Sequence, residues 1–228
     1  MNISLWIVFV VALFLAIYTG AQAIPLFVLM FAPRVLKFWF IDPIESQRRI
    51  SASASAQEKI EQLRELSFSL IGIKGERLLW QAPVYEVALT NPEKDTFASI
   101  ILGPGDRALG VYLYTALSGG GIVFTRAMSR QPQMEKPGIS VKNIPNNDFT
   151  TMLASHSQRI RDFKHQRITP LSVRDQAARI EATYLFYESA YFKSTRRNLT
   201  SIMPLVSFAL AIILLVAVLL THFLRLPV

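Results

Sequence analysis

Two long apolar runs without a charged residue lie near the ends of the chain, and a polar middle separates them. They cover 3–32 and 202–224. A helix rises about 1.5 Å per residue and a hydrocarbon core is about 30 Å thick, so each run is long enough to cross it. We therefore predict a transmembrane helix with an interfacial segment at 1–43, a folded domain at 44–198, and a second transmembrane helix at 199–228.

Both apolar runs have basic flanks on the side of the middle domain, whereas only Arg225 lies on the outer side. The inner basic residues are Arg34, Lys37, Arg48, Arg49, Lys193, Arg196 and Arg197. Short segments rich in Lys and Arg remain on the cytoplasmic side of a membrane. We therefore predict an integral protein of a bacterial inner membrane, with a cytoplasmic middle domain whose flanking cations lie near anionic membrane lipids.

Within the middle domain, the hydrophobic periodicity changes from helical to strand-like. Near its start, Ser55 and Glu58 form a capping-box pattern before Ile60 and Leu63, which predicts an amphipathic helix. From 68 to 144, short segments rich in β-formers end in turn residues, which predicts strands. The clearest of these segments are 84–89, 96–102, 109–117, 122–125 and 139–144.

Helical periodicity returns after the strands. Residues 126–138 are polar and contain proline, so we predict a loop there. Asn147 or Asp148 caps a second helix, and Ser172 with Asp175 caps a third helix that runs towards the last apolar run. The whole pattern predicts an α+β fold, with an antiparallel sheet of five or six strands and helices on one face, inserted between the two transmembrane helices.

Composition and charge narrow the possible chemistry. The 228 residues include no cysteine, which excludes disulfides, thiolate nucleophiles and Cys-ligated metal sites. The formal net charge of +8 fits either nucleic acid or an anionic surface as a partner. The basic cluster from Arg159 to Arg167 lacks interleaved aromatic residues on a sheet face, so we expect no nucleic-acid partner.

Short motifs in the chain predict no catalytic, cofactor-binding or metal-binding residue. The glycine run 119–121 lacks the Lys-Ser/Thr ending of a phosphate loop, so it predicts a hairpin turn. His156 and His165 point to different faces of one predicted helix, which does not make a zinc site, and we interpret His156 as a surface or half-buried residue. His222 lies in the last apolar run, where axial ligation of a haem or chlorophyll stays open.

The order of elements resembles that of uncharacterised bacterial α+β domains found near membrane spans. The resemblance covers 56–165 and consists of a helix, several strands with a Thr-bearing hairpin, and a helix that contains Leu153-Ala154-Ser155-His156. It implies an α+β fold tethered to a membrane. Such domains have no assigned activity, so the resemblance implies no site residues.

The absence of a converging set of catalytic residue types favours a non-enzymatic role. We predict an accessory subunit or scaffold that presents the middle domain to protein partners. The alternative is a membrane-anchored sensor or a lipid- or ligand-binding domain, with an apolar pocket between the sheet and the third helix. Tyr184, Tyr187 and Tyr191 follow helical spacing and either pack on the sheet or form a partner-binding stripe.

Overall fold

A computed structural model describes most of the chain as two compact units. The described residues are 3–31, 35–127, 133–144, 148–192 and 199–223. One unit combines Met1–Val35 with Ser194–Val228, and the other is Leu36–Lys193.

The first unit consists of two helices that pack against each other. Helix α1 is Ile3–Phe31 and helix α6 is Leu199–Phe223, and neither contains Lys, Arg, Asp or Glu. Gly20 of α1 permits close approach, because a Cβ there would lie 2.7 Å from Cε2 of Phe208. The two helices therefore form where the apolar runs predict helices.

The membrane assignment conflicts with the structure. Among the described residues, no helix combines the length and the apolar character that a membrane crossing requires. This finding contradicts the prediction of two transmembrane helices at 1–43 and 199–228. It equally contradicts the predicted inner-membrane location and the predicted functions of membrane scaffold and membrane-anchored sensor.

The second unit is built on one eight-stranded mixed sheet. Its strands are β1 Lys37–Phe40, β2 Ser69–Arg77, β3 Val84–Asn91, β4 Thr96–Leu102, β5 Ala108–Leu117, β6 Gly121–Arg126, β7 Met134–Lys136 and β8 Ile139–Asn143. Their order across the sheet is β1-β2-β3-β4-β5-β6-β8-β7. All neighbouring strands are antiparallel except β6 and β8, which are parallel.

The sheet is thus larger than the five or six antiparallel strands that the sequence predicts. Strand β1 lies in the stretch that the sequence analysis interprets as interfacial, and β7 lies in the predicted loop 126–138. Both strands are short edge strands, so neither shows a periodicity long enough to be recognised. The parallel pairing of β8 with β6 depends on tertiary packing and has no local signature.

Four helices flank the sheet. They are α2 Pro43–Ser51, α3 Ala54–Glu65, α4 Phe149–His165 and α5 Gln176–Glu188. Asp148 and Asp175 cap α4 and α5 by accepting from the backbone N–H groups of Thr151 and Ala178. Helix α3 is capped by Ser53 and begins earlier than the capping-box pattern at Ser55 suggests.

The helices cover both faces of the sheet, which corrects the prediction of helices on one face. Helices α2, α3 and α4 cover one face, and their shared core includes Ile60, Leu63, Val87, Leu89, Ile100, Val111, Leu113 and Met152. Helix α5 covers the other face, whose core includes Phe97, Tyr114, Ile122, Phe124, Val141 and Ala182. The central strands carry apolar side chains on both sides, so both sides require a cover.

Helix α5 is fixed to the sheet at a β-bulge. The register between β2 and β3 shifts between Leu70 and Gly72, and Gly72 has φ +141°, a conformation that L side chains rarely adopt. At this bulge the backbone oxygen of Ile71 accepts a hydrogen bond of 3.0 Å from Nε2 of Gln176, in the first turn of α5. The bulge thereby anchors the helix that closes the site described next.

Candidate functional site

A cavity of about 420 Å³ lies between α5 and the face of the sheet that α5 covers. Its volume falls within the range of about 300–1,000 Å³ that is usual for small-molecule pockets. The polar and aromatic side chains on its wall are Lys74, Glu76, Glu86, Tyr112, Tyr114, Phe124, Arg126, Arg179, Thr183, Phe186 and Tyr187. The wall is therefore aromatic, and it includes a group of charged residues.

The charged group centres on Glu86, in the middle of β3. Lys74 of β2 lies directly opposite Glu86 in the strand register, and its Nζ is 3.0 Å from Oε1 of Glu86. Arg179 of α5 approaches from above, with Nη2 2.6 Å from the same oxygen. Since successive strand residues alternate between faces, the neighbours Val87 and Ile73 point into the opposite core. One carboxylate thus joins two strands to the helix.

Hydrogen bonds complete this cluster. Nη1 of Arg179 donates to Oγ1 of Thr183 at 2.8 Å, and Nη2 also donates to Oγ of Ser99 at 3.0 Å and to the Tyr112 hydroxyl at 2.8 Å. Lys74 donates to Oγ1 of Thr183 at 3.0 Å. The Tyr112 hydroxyl donates to Glu86. The guanidinium is held by neighbours on both sides and is therefore fixed in orientation.

Burial and the neighbouring opposite charges shift the pKa values of Glu86 and Lys74 in opposite directions. Burial raises the pKa of Glu86, but the charges of Lys74 and Arg179 outweigh it and hold that pKa at about 2. Burial lowers the pKa of Lys74, although Glu86 opposes the change. Burial also raises the pKa of Glu76, which accepts a hydrogen bond from Tyr187. Glu86 is thus the ionised centre of the cluster.

Two buried donors on the cavity wall are unsatisfied. Arg179 is 2% exposed and Tyr114 is 1% exposed. Within the described ranges, neither Nε of Arg179 nor the hydroxyl of Tyr114 has a hydrogen-bond partner. Buried polar groups in folded proteins almost always have partners, and leaving one unpaired costs about 1–3 kcal/mol. Both atoms have almost no accessible surface, so neighbouring side chains cover them and they do not open to the cavity.

Aromatic rings form the rest of the wall. The ring of Phe186 on α5 lies 5.9 Å from that of Tyr114 and 5.2 Å from that of Phe124, measured between centroids. Tyr191 is buried against the same group, with its ring 6.5 Å from that of Phe124. Tyr187 lines the cavity, and the Tyr184 hydroxyl donates to the backbone oxygen of Leu36. These tyrosines therefore pack within the domain, as the first of their two interpretations proposes.

A second polar cluster lies on the opposite face of the sheet, under α4. His156 is 0% exposed, with Nε2 3.0 Å from Oγ1 of Thr115 and Nδ1 2.7 Å from Oγ1 of Thr125. Burial and the charge of Arg159 hold the pKa of His156 well below its ordinary value. His156 is thus fully buried, which corrects its interpretation as a surface or half-buried residue. It does not line the cavity.

Arg159 in that cluster is bound by oxygen atoms of the sheet. Nη1 donates to Oγ of Ser140 at 2.9 Å and to the backbone oxygen of Ser140 at 3.3 Å, and Nη2 donates to Thr125. Ser140 in turn donates to Oε1 of Glu135 at 2.8 Å. The cluster ties α4 to β6 and β8, so we assign it a structural role.

The structure also bears on the other residues that the sequence analysis weighs as possible functional sites. Residues 118–120 join β5 to β6 and Gly121 begins β6, which confirms the hairpin turn predicted at the glycine run. His165 ends α4 on the surface. The side chain of His222 lies outside the described residues. In the part of the chain that the structure describes, no three His, Asp or Glu side chains come together in a way that could hold a metal ion.

No motif or periodicity in the sequence singles out Lys74, Glu86 or Arg179. A signal was present for Glu86, which is the single charged residue of β3, and a weaker one for Lys74, which shares β2 with Glu76 and Arg77. Glu86 interrupts Val84 to Leu89, and Lys74 follows Ile73. Charged residues in such positions are rarely buried unless they are paired. Their pairing across neighbouring strands required the register, which the sequence does not show.

No family model, no curated protein and no solved structure matches the chain. The resemblance of 56–165 to bacterial α+β domains, the expected protein partners and the expected absence of nucleic-acid binding therefore stay predictions. The function has to be argued from the cavity itself.

Proposed function

We propose that the unit Leu36–Lys193 is a binding domain that holds a small organic molecule in the cavity between α5 and the sheet. The observation that carries this proposal is a cavity of about 420 Å³ whose wall combines aromatic rings with the ordered cluster of Lys74, Glu86 and Arg179. A concave, mostly apolar wall with a few fixed polar groups is typical of small-molecule sites.

A pre-formed site supports binding. Arg179 is held by Glu86, Thr183 and Tyr112, so it does not have to be ordered when a ligand enters. Binding to ordered side chains avoids an entropic cost of about 0.5–1.5 kcal/mol for each rotamer-rich side chain. The cavity is therefore organised in the way that a ligand-binding pocket requires.

We propose that the domain binds its ligand and does not transform it. Acid–base catalysis requires a group that can exchange a proton with the substrate near neutral pH. In the cavity, Glu86 is held ionised by two cations, and Lys74 is engaged by Glu86 and Thr183. Burial raises the pKa of Glu76, but its carboxylate is engaged by the Tyr187 hydroxyl and lies 3.8 Å from Nζ of Lys74. His156 is buried on the other face of the sheet. These placements support a binding role.

A substitution at the cavity mouth tests the proposal. Val84 lines the cavity and is 55% exposed, so Val84→Trp adds bulk at the opening with little effect on the core. The full chain is purified under native conditions and its small-molecule extract is analysed by mass spectrometry. We expect one molecule at near-stoichiometric amount with the wild type and at least a fivefold loss with Val84→Trp.

Leu109→Trp is the matched control, because Leu109 is an exposed apolar strand residue, at 58%, that is absent from the cavity wall. It should retain the wild-type amount of the extracted molecule. An extract without a stoichiometric molecule, or equal amounts in Val84→Trp and the wild type, contradicts the proposed function.

A further inference from the structure

One carboxylate of the cavity wall has an oxygen atom that the wall itself does not engage. Lys74 and Arg179 are buried, and both form short ion pairs with Glu86. Glu76 of β2 differs from Glu86, because its side chain is 23% exposed. Its Oε1 accepts from the Tyr187 hydroxyl, and its Oε2 lies 3.8 Å from Nζ of Lys74, which is too far for a hydrogen bond. No donor in the described part of the chain lies within hydrogen-bond distance of Oε2.

Glu76 lies near the mouth of the cavity, where a ligand can reach it. It is directly opposite Val84 in the register of β2 and β3, and Val84 is 55% exposed. Both residues line the cavity. The free acceptor of Glu76 is therefore open to a molecule that enters past Val84, unlike the covered donors of Arg179 and Tyr114.

The negative charge of Glu76 is poorly compensated by its neighbours. Lys74 is 1% exposed and lies closer to Glu86, at 3.0 Å, than to Glu76, at 3.8 Å. Burial raises the pKa of Glu76 in spite of Lys74, so the domain does not fully stabilise the ionised carboxylate. A cation that donates to Oε2 stabilises the ionised form at hydrogen-bond distance, where its attraction exceeds the repulsion from the more distant Lys74.

Arg126 is the remaining cation of the cavity wall, and it is remote from Glu76. It belongs to β6, and three strands separate β6 from β2. At about 4.8 Å per strand spacing, the two strands lie about 19 Å apart. Nε of Arg126 donates to Oδ1 of Asn143 at 3.1 Å, and the guanidinium lies 5.4 Å from the centre of the Phe124 ring. Arg126 therefore does not compensate the charge of Glu76.

Apolar and aromatic side chains surround Glu76 and set the requirement for the body of the ligand. Phe38 of β1 and Val84 of β3 are its neighbours in the register, and the Tyr187 ring lies 6.0 Å from the Phe38 ring. Tyr187 and Phe186 are half-buried on the cavity wall, so part of each ring is open to a ligand. Ring faces attract cations within about 6 Å, and their apolar area favours an apolar body.

We propose that the cavity takes a primary ammonium ion with a compact apolar body, whose ammonium group donates to Oε2 of Glu76 and whose body contacts Tyr187. This inference rests on the proposed function and names the class of molecule that the same cavity binds. A primary ammonium group has three N–H donors and a quaternary one has none, so the free acceptor selects the primary form. The volume of about 420 Å³ sets the limit on the body.

Four probes that share one phenylethyl body test the assignment on the full-length chain. They are 2-phenylethylammonium, trimethyl(2-phenylethyl)ammonium, 2-phenylethanol and 3-phenylpropanoate, each titrated by isothermal calorimetry at pH 7. The first is a cation with N–H donors, the second a cation without them, the third a neutral donor, and the fourth an anion. We expect 2-phenylethylammonium to bind at least tenfold more tightly than each of the others.

Variants localise the binding. Glu76→Gln keeps the shape of the side chain and removes a charge that burial disfavours, so we expect a folded chain by circular dichroism. It should bind 2-phenylethylammonium at least tenfold more weakly, whereas a purely structural role for Glu76 predicts no change in affinity. Val84→Trp should weaken the same probe by obstructing the mouth.

Glu135→Gln is the matched control for the loss of the carboxylate. Glu135 is a strand residue whose side chain is 55% exposed, and it is absent from the cavity wall. It should bind 2-phenylethylammonium as the wild type does.

The outcomes separate this inference from the proposed function. If 2-phenylethanol or 3-phenylpropanoate binds as tightly as 2-phenylethylammonium, the assigned charge is wrong, and if the trimethyl compound does so, the assigned hydrogen bond is wrong. If a folded Glu76→Gln chain binds like the wild type, the assigned site is wrong. If no probe binds, this inference is overturned. The proposed function is decided separately, by the molecule extracted from the native protein, and it stands if that molecule is stoichiometric and not an amine.

Discussion

Glu86 shows how a single residue organises the candidate site. Its carboxylate forms ion pairs with both Lys74 and Arg179 in a setting where each cation alone would be costly to bury. Arg179 is the only one of the three that comes from a helix, so the same carboxylate also fixes the position of α5. The site and the attachment of α5 therefore depend on the same ion pairs.

Glu86→Gln should destabilise the domain strongly, because it leaves buried Arg179 without its carboxylate partner and leaves Lys74 with only Glu76, 3.8 Å away. We expect a loss of about 3–5 kcal/mol in the free energy of unfolding, which is typical when one partner of a buried ion pair is removed. Urea unfolding of the full chain at pH 7 measures the loss. Glu93→Gln is the control, since Glu93 is exposed in the turn between β3 and β4, and it should change the stability by less than about 0.5 kcal/mol. A small effect of Glu86→Gln would show that the buried pairs contribute little.

The residues whose roles could not be predicted from the sequence are those whose partners lie far away in the chain. His156 reads as an ordinary polar residue on a helix, yet Thr115 and Thr125 on two neighbouring strands enclose it. Nothing near His156 in the chain indicates those hydroxyls. The same holds for Arg179, whose carboxylate partner lies 93 residues away in the chain.

At the scale of elements, helix caps were predictable because they are local. The pattern at Asn147 or Asp148 predicted the start of α4, which Asp148 caps, and the pattern of Ser172 with Asp175 predicted the start of α5, which Asp175 caps. The size of the sheet was not predictable, because β1 and β7 have 4 and 3 residues. The sequence also did not show that helices cover both faces of the sheet. Strands that are apolar on both sides lack the alternation of apolar and polar residues that identifies a single buried face.

Asp175→Ala should loosen α5 specifically. Loss of a helix N-cap costs about 0.5–2 kcal/mol, and Asp175 caps the helix that closes the cavity. We expect faster amide hydrogen exchange across Gln176–Glu188, with unchanged exchange in Phe149–His165. Asp148→Ala is the matched control, because it removes the equivalent cap from α4, and it should give the reverse pattern. Equal effects of both variants on both helices would show that the helices do not open independently.

At the scale of the whole molecule, composition located the two terminal helices but not their role. Helices α1 and α6 form within the uncharged apolar runs. The prediction that they span a membrane conflicts with the finding that no described helix meets the requirement for a crossing. The alternation of helical and strand-like segments between them predicted an α+β unit, and Leu36–Lys193 is such a unit.

The unit Leu36–Lys193 buries a polar cluster on each face of its sheet, and the His156 cluster makes its stability depend on pH. In the folded state the pKa of His156 lies well below its ordinary value of 6.5, because burial and Arg159 disfavour the proton. Above about pH 6.5 both states hold a neutral ring, so the contribution is constant. As the pH falls below that value the unfolded chain takes up a proton that the folded chain excludes. Stability is therefore lost, by up to about 1.4 kcal/mol per pH unit.

His156→Gln should remove this pH dependence, because an amide can bond to Thr115 and Thr125 without titrating. We compare the free energy of urea unfolding of the variant and the wild type at several values between about pH 5 and 7. The raised pKa of Glu76 gives a slope of opposite sign in acid, but it is common to both proteins and cancels in their difference. His165→Gln, at the exposed end of α4, should keep the wild-type profile. If the difference between His156→Gln and the wild type does not change with pH, then the ring of His156 is not excluded from protonation by the fold.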